Sequence, residues 1–121
     1  MSSISRIALV GYSAVVTALA LLMWGKHAYL SFEIAQARQQ IDYFYDLSDE
    51  ARLGNRSSAI AHLEAVLYFY PSGTRFTSGS VLDSLVENDR SRASQRIIDH
   101  LRKISGEDCG NDPQEWIRSN R

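Results

Sequence analysis

Cysteine is nearly missing from this chain: Cys109 is the only one in 121 residues. No internal disulfide can form, so the fold must be held by packing. Prolines number two and glycines seven, and beyond residue 25 they fall where helices would end. No concentration of one charge stands out. All 14 acidic residues and 12 of the 13 basic ones lie beyond Gly25, Arg6 being the exception. That near-neutral mixture excludes the basic stripe that a nucleic-acid surface requires.

Chemistry-bearing motifs are equally scarce. There is no HExxH, no CxxC and no GxSxG. Gly73 to Ser80 superficially suggests a phosphate loop, but five residues separate Gly73 from Gly79 instead of four, and no lysine follows. His27, His62 and His100 are far apart. His62 and Glu64 are two apart on a helix and point in different directions, which makes no metal face. Cys109 sits beside Glu107 and Asp108, whose charges oppose thiolate formation. Glu107, Asp108 and Asp112 cluster around Gly110 without the spacing of a calcium loop, and read as turn and capping residues. The chain is expected to be no enzyme, with no catalytic residue, no metal site and no cofactor.

What the sequence does have is IALVGYSAVVTALALLMWG, from Ile7 to Gly25, without a charge. Nineteen residues at about 1.5 Å each give a helix of roughly 28 Å, close to the ~30 Å hydrocarbon core of a bilayer. Arg6 marks one edge. Trp24, Lys26, His27 and Tyr29 mark the other, an aromatic-plus-cation arrangement suited to a membrane interface. A secretory signal is the first alternative, but the apolar run is longer than such signals carry and small residues for a cleavage site are poorly placed. A buried core helix is the second, and too little chain remains to surround it. The reading is a single-pass membrane anchor. Lys/Arg counts in the two flanks nearly tie; a single N-terminal anchor with a short basic start favours a C-terminal domain outside the cytoplasm.

Past the anchor the expected organisation is an N-terminal segment with its transmembrane helix over 1–29, a juxtamembrane helical stalk over 30–54 and a small helical domain over 55–121. Leu30, Ile34, Ala37, Ile41 and Phe44 recur at heptad steps. Glu33, Gln36, Arg38, Gln39, Gln40 and Asp42 are placed opposite. This stripe either packs on the chain's own later helices or docks a partner helix. Ser48-Asp49-Glu50 reads as an interruption or a fresh helix start, and Gly54-Asn55 as a stop. A helix from Ser57 or Ser58 to about Tyr70 follows, ended by Pro71. Phe76 is expected to peg the next loop into the domain. Ser78 or Ser80 caps the longest soluble helix, to about Ser105, with Gly106 ending it. Arg90, Arg92 and Arg96 fall on its charged, solvated side. Asp112 then reads as an N-cap, Pro113 as the first helical residue and Glu115 as the reciprocal capping acid. The fold class is all-α: an N-terminal transmembrane helix extending into a stalk, and about three further helices.

Leu63-Glu64 through Tyr70-Pro71-Ser72-Gly73-Thr74, then Gly79-Ser80, Leu82-Asp83, Val86-Glu87, Arg90, Ile97-Ile98, Leu101-Arg102 and the ending Gly106-Glu107-Asp108, Gly110, Asp112-Pro113, Trp116 resemble a group of small bacterial membrane-anchored helical proteins to which no activity attaches. The final GED-x-G-x-DP-x-x-W piece is similar to the short ending of HEAT-type helical repeat proteins. The resemblance spans roughly residues 63–117. It implies antiparallel helix pairs used as binding surfaces, although one pair is too short for a solenoid. Cys109 departs from the more usual apolar residue there.

The functional expectation is a membrane-anchored protein-interaction module, an accessory or scaffolding subunit of a larger membrane complex. Its partners would be the lipid bilayer and other protein subunits, with no nucleic acid. The partner-binding residues would be Leu30, Ile34, Ile41 and Phe44 of the seam and the Tyr68-Phe69-Tyr70 corner. The alternatives are a small membrane-bound cofactor or redox protein using His27 or His62, and a self-associating stalk protein that forms a homo-oligomer.

Overall fold

A computed structural model describes residues 2–120, and among these it contains four helices and no strand. Helix α1 runs Ser3–Leu53, α2 Arg56–Tyr68, α3 Val81–Ser105 and α4 Pro113–Ser119. The chain divides into two compact units, one ending at Ile34 and the other beginning at Ala35. The expected all-α class is what the chain adopts.

The first unit is helical throughout its described residues except for Ser2. Its apolar side chains are uncovered: Leu19 is 55% exposed and Trp24 71%. None of the apolar window is buried within the protein, and it is long and apolar enough to cross a membrane. A core helix would be enclosed by its own chain, and this one is not.

The second unit holds the core. The last turns of α1 contribute Ala37, Phe44 and Ala51; α2 contributes Ile60, Leu63 and Val66; α3 contributes Val86, Ile97, Ile98 and Leu101. Phe76 pegs the loop into this core at 5% exposure, and Trp116 and Ile117 of α4 close it. Trp116 is fully enclosed while its indole N–H donates to the Gly110 carbonyl at 2.8 Å, so its one polar atom is satisfied. Each such large apolar side chain contributes about 1.5–3 kcal/mol of burial.

Three local expectations are corrected. No interruption occurs at Ser48, because its hydroxyl donates to the Tyr45 carbonyl within the helix (2.8 Å) and leaves the backbone ladder intact. Beyond Ile34 the seam enters the core through Ala37 and Phe44, and the division into compact units falls between Ile34 and Ala35. The cap of α2 is Asn55, whose side chain accepts from the Ser58 amide at 2.9 Å, not Ser57 or Ser58. The turn before it is tight. A Cβ on Gly54 would lie 2.7 Å from Ser58 Oγ, so glycine is required there by close approach. At α4, Asp112 caps by accepting from the Gln114 amide (3.0 Å), but Glu115 does not reciprocate. Its carboxylate instead accepts from Arg118 at 2.7 Å.

α3 ends as expected. Ser80 accepts from the Asp83 amide at 3.3 Å, and Gly106 adopts φ +69° at the C-terminus, a conformation that favours glycine.

Candidate functional site

The most unusual local structure lies where α2 ends, wholly within the second unit. Phe69 leaves the helix in an extended conformation (φ −79°, ψ 131°). Tyr70 then takes φ +50°, the only positive φ outside glycine among the described residues. A bulky side chain in that region costs about 1–2 kcal/mol, so its surroundings must hold it. Pro71 follows and cannot continue the helix.

Two charged side chains of α3 supply the hold. Arg90, only 7% exposed, donates from its guanidinium to the carbonyls of Val66, Leu67 and Tyr70. Those are acceptors at a helix C-terminus, where a cation is favoured. Its Nε donates to Glu87 at 3.1 Å, and its plane lies 4.6 Å over the Phe44 ring. Arg90 is thus a buried cap for α2 and not part of the solvated side of α3. Asp83, 5% exposed, accepts from the Ser72 hydroxyl (2.6 Å), the Gly73 amide (3.2 Å) and the Gly79 amide (3.2 Å). It draws the 71–80 loop onto the start of α3.

These donors, the Ser72 hydroxyl foremost, hold the Asp83 carboxyl below its ordinary value, assisted by the two amides and Arg90 and opposed by burial. The carboxylate's contribution is therefore complete above the unfolded value near 4, and is lost as the pH falls through the lower folded value. In acid melts the wild type should lose stability over that interval, while Asp83→Asn should start less stable at pH 7 and show a flatter decline. Equal acid slopes for the two proteins would remove Asp83 from the loop's support.

Rings gather beside this turn. Tyr43 meets Phe69 edge-on at 5.9 Å and Tyr70 at 6.4 Å, and the Arg75 guanidinium lies 4.2 Å over the Tyr70 ring. A cavity of about 120 Å³ opens here, lined by Gln39, Gln40, Tyr43, Tyr70 and Arg75. Gln40 is 3% exposed, and its buried Nε2 has no hydrogen-bond partner among the described residues. A further groove of about 410 Å³ follows α3 past Glu87, Ser94 and Ile98 to Asn111 and Pro113. Its one cation, Arg90, is already committed.

The residues expected to bind a partner are distributed as follows. Leu30 and Ile34 belong to the first unit and are 50% and 46% exposed. Ile41 is half-buried against the core, and Phe44 is fully buried in it. Phe44 is thereby corrected from a docking residue to a core residue: its ring supports Arg90. Tyr68 and Phe69 are exposed, and Tyr70 is half-buried between Tyr43 and Arg75. Sequence reasoning overlooked Gln40, Tyr43, Arg75, Asp83 and Arg90. For Gln40 a signal existed: it stands three residues after Ala37 and four before Phe44, on the buried face rather than opposite it.

The other polar candidates are engaged in structure. His62 donates from Nδ1 to the Ser58 carbonyl (2.7 Å) and sets Nε2 3.1 Å from Glu50. His100 lies 3.3 Å from the Gly54 carbonyl. Glu107 accepts from Arg56 at 3.0 Å, and Asp108 accepts from Arg102 and from the Gly110 amide. No group of three or more metal-ligating side chains forms among the described residues.

No protein-family model matches the chain, and neither does any curated protein or solved structure. The likeness of residues 106–116 to HEAT-type endings gains no support from that comparison.

Proposed function

We propose that this chain is a single-pass membrane-anchored binding module, an accessory or scaffolding subunit of a larger membrane protein complex. One observation carries the reading. A charge-free apolar stretch left uncovered by its own chain lies on the same helix that supplies the core of a small domain. An anchor confines such a domain to the bilayer and raises its effective concentration near a membrane partner without any added contact. The exposed rings of Tyr68 and Phe69 and the exposed side chains of Leu30 and Ile34 are the surfaces offered, aromatic and aliphatic anchors of the kind that dominate interfaces. The short basic start at Arg6 favours a domain outside the cytoplasm, and the resemblance of residues 63–117 to bacterial membrane-anchored proteins favours a bacterial inner membrane.

Mild-detergent extraction from native membranes, sized by native electrophoresis, tests this. The protein should migrate in one assembly of fixed stoichiometry. Ile34→Glu or Phe69→Glu should weaken co-purification at least tenfold, the loss of one interface anchor, with the membrane fraction unchanged. Migration as an isolated chain would sink the subunit reading, and migration as a small homo-oligomer would replace it with a self-associating stalk.

A further inference from the structure

The cavity beside Tyr70 has the chemistry of a small binding site. Its wall carries a guanidinium, Arg75, that pairs with no carboxylate among the described residues and rests on an aromatic face. Gln40 lines the same space, and its buried side-chain Nε2 has no hydrogen-bond partner among the described residues. Buried donors without partners are uncommon in native structures and call for one from outside. No acidic side chain lines the space. Arg75 is exposed, so its charge is solvated while the cavity is empty and is open to a ligand arriving from outside. A positive φ at Tyr70, held by Arg90 through its carbonyl, keeps one wall in place.

We propose that Arg75 and Gln40 form a seat for a single carboxylate, supplied by an acidic side chain or the C-terminus of the partner protein. This specifies the partner chemistry of the binding role proposed above and rests on it. Arg75 offers the planar fork that a carboxylate meets with two parallel hydrogen bonds. Gln40 adds a neutral donor, and the Tyr43 and Tyr70 rings exclude water from one side, which strengthens the pairing. One cation and one amide match a singly charged planar group. A phosphate carries close to two charges and is met by clusters of arginines. The cavity, about 120 Å³, admits a carboxymethyl group and little more.

The test uses the full chain in mild detergent, labelled with nitrogen-15 and titrated with sodium acetate, sodium phosphate or sodium chloride at matched ionic strength. Acetate should move the Gln40 side-chain amide and the Arg75 Nε–H resonances saturably. Arg75→Gln should weaken acetate binding by about tenfold or more, and Arg75→Lys should fall between, since lysine keeps the charge and loses the fork. Gln40→Met should weaken acetate while leaving the melting temperature equal or higher, because it removes an unsatisfied donor. That variant separates a ligand-binding role from a structural one. Equal shifts from chloride, tighter binding of phosphate than of acetate, or full acetate affinity in Arg75→Gln would each overturn the proposal. The isolated chain suffices for this titration, so its failure is distinct from a failure to find the native complex.

Discussion

Arg90→Ala should destabilise the helical domain by about 3–5 kcal/mol, since each buried acceptor stripped of its donor costs roughly 1–3. The substitution removes the donor to Val66, Leu67 and Tyr70 together. It also removes the cation over Phe44 and frees Glu87. A domain of this size holds about 5–15 kcal/mol in all, so the loss is a large share of the whole. For a unit of some 60–100 residues each kcal/mol moves the midpoint by about 4–8 °C, so a fall of about 12–40 °C is expected. Thermal unfolding of the full chain in mild detergent, followed by ellipticity, reads it directly. Arg90→Lys should recover only part, because an ammonium on a flexible stem cannot span three carbonyls. A drop below about 5 °C for the alanine variant would mean that solvent serves those carbonyls, and the buried-cap account would fail.

The importance of Arg90 shows where sequence reasoning stops. Local rules placed what local chemistry decides: Ser80 at the start of α3, Gly106 at its end, Asp112 and Pro113 at the start of α4, and Phe76 as the peg. They faltered where a side chain had two local options. Ser48 resembled a helix start, yet its hydroxyl bonds back to Tyr45 and the helix continues. Asn55 and the serines after it were equally good caps by type, and the backbone chose Asn55. The site was less legible than the fold. Asp83 and Arg90 stand at three- and four-residue steps with Val86, Ala93, Ile97 and Leu101 on the buried face of α3, but their charge on a helix rich in exposed charge hid what that periodicity announced. Their burial is decided by the carbonyls at the end of α2, 20 to 24 residues from Arg90, and by the 71–80 loop, whose Gly73 amide is 10 residues from Asp83. Gln40 was legible by periodicity but hidden by its polarity. Exposure of Tyr68 and Phe69 could be anticipated from their crowding at one helix end, whereas the enclosure of Phe44 depended on helices that the heptad pattern does not contain.

Placing arginine at both Val15 and Leu19 should shift the protein out of the membrane fraction. Both positions lie close to the midpoint of the 7–25 stretch and are exposed, at 58% and 55%, so neither substitution disturbs contacts within the protein. Each arginine near a helix centre disfavours insertion by about 2.5–3.5 kcal/mol, and the pair together by about 5–7. A stretch of this length has no reserve of apolar residues from which to rebuild a span by sliding, because Arg6 and Lys26 bound it closely. Membranes washed at high pH should retain the wild type and a Val15→Leu, Leu19→Ile control, and lose the double arginine variant. The consequence for binding follows from effective concentration: with the tether gone, association with a membrane partner should weaken by about 10²-fold or more, although no residue of the domain has changed. Retention through the alkaline wash would show that the apolar stretch does not do the anchoring. Release from the membrane with undiminished co-purification would separate the two halves of the proposed function, leaving a binding domain whose partner holds it without help from the bilayer.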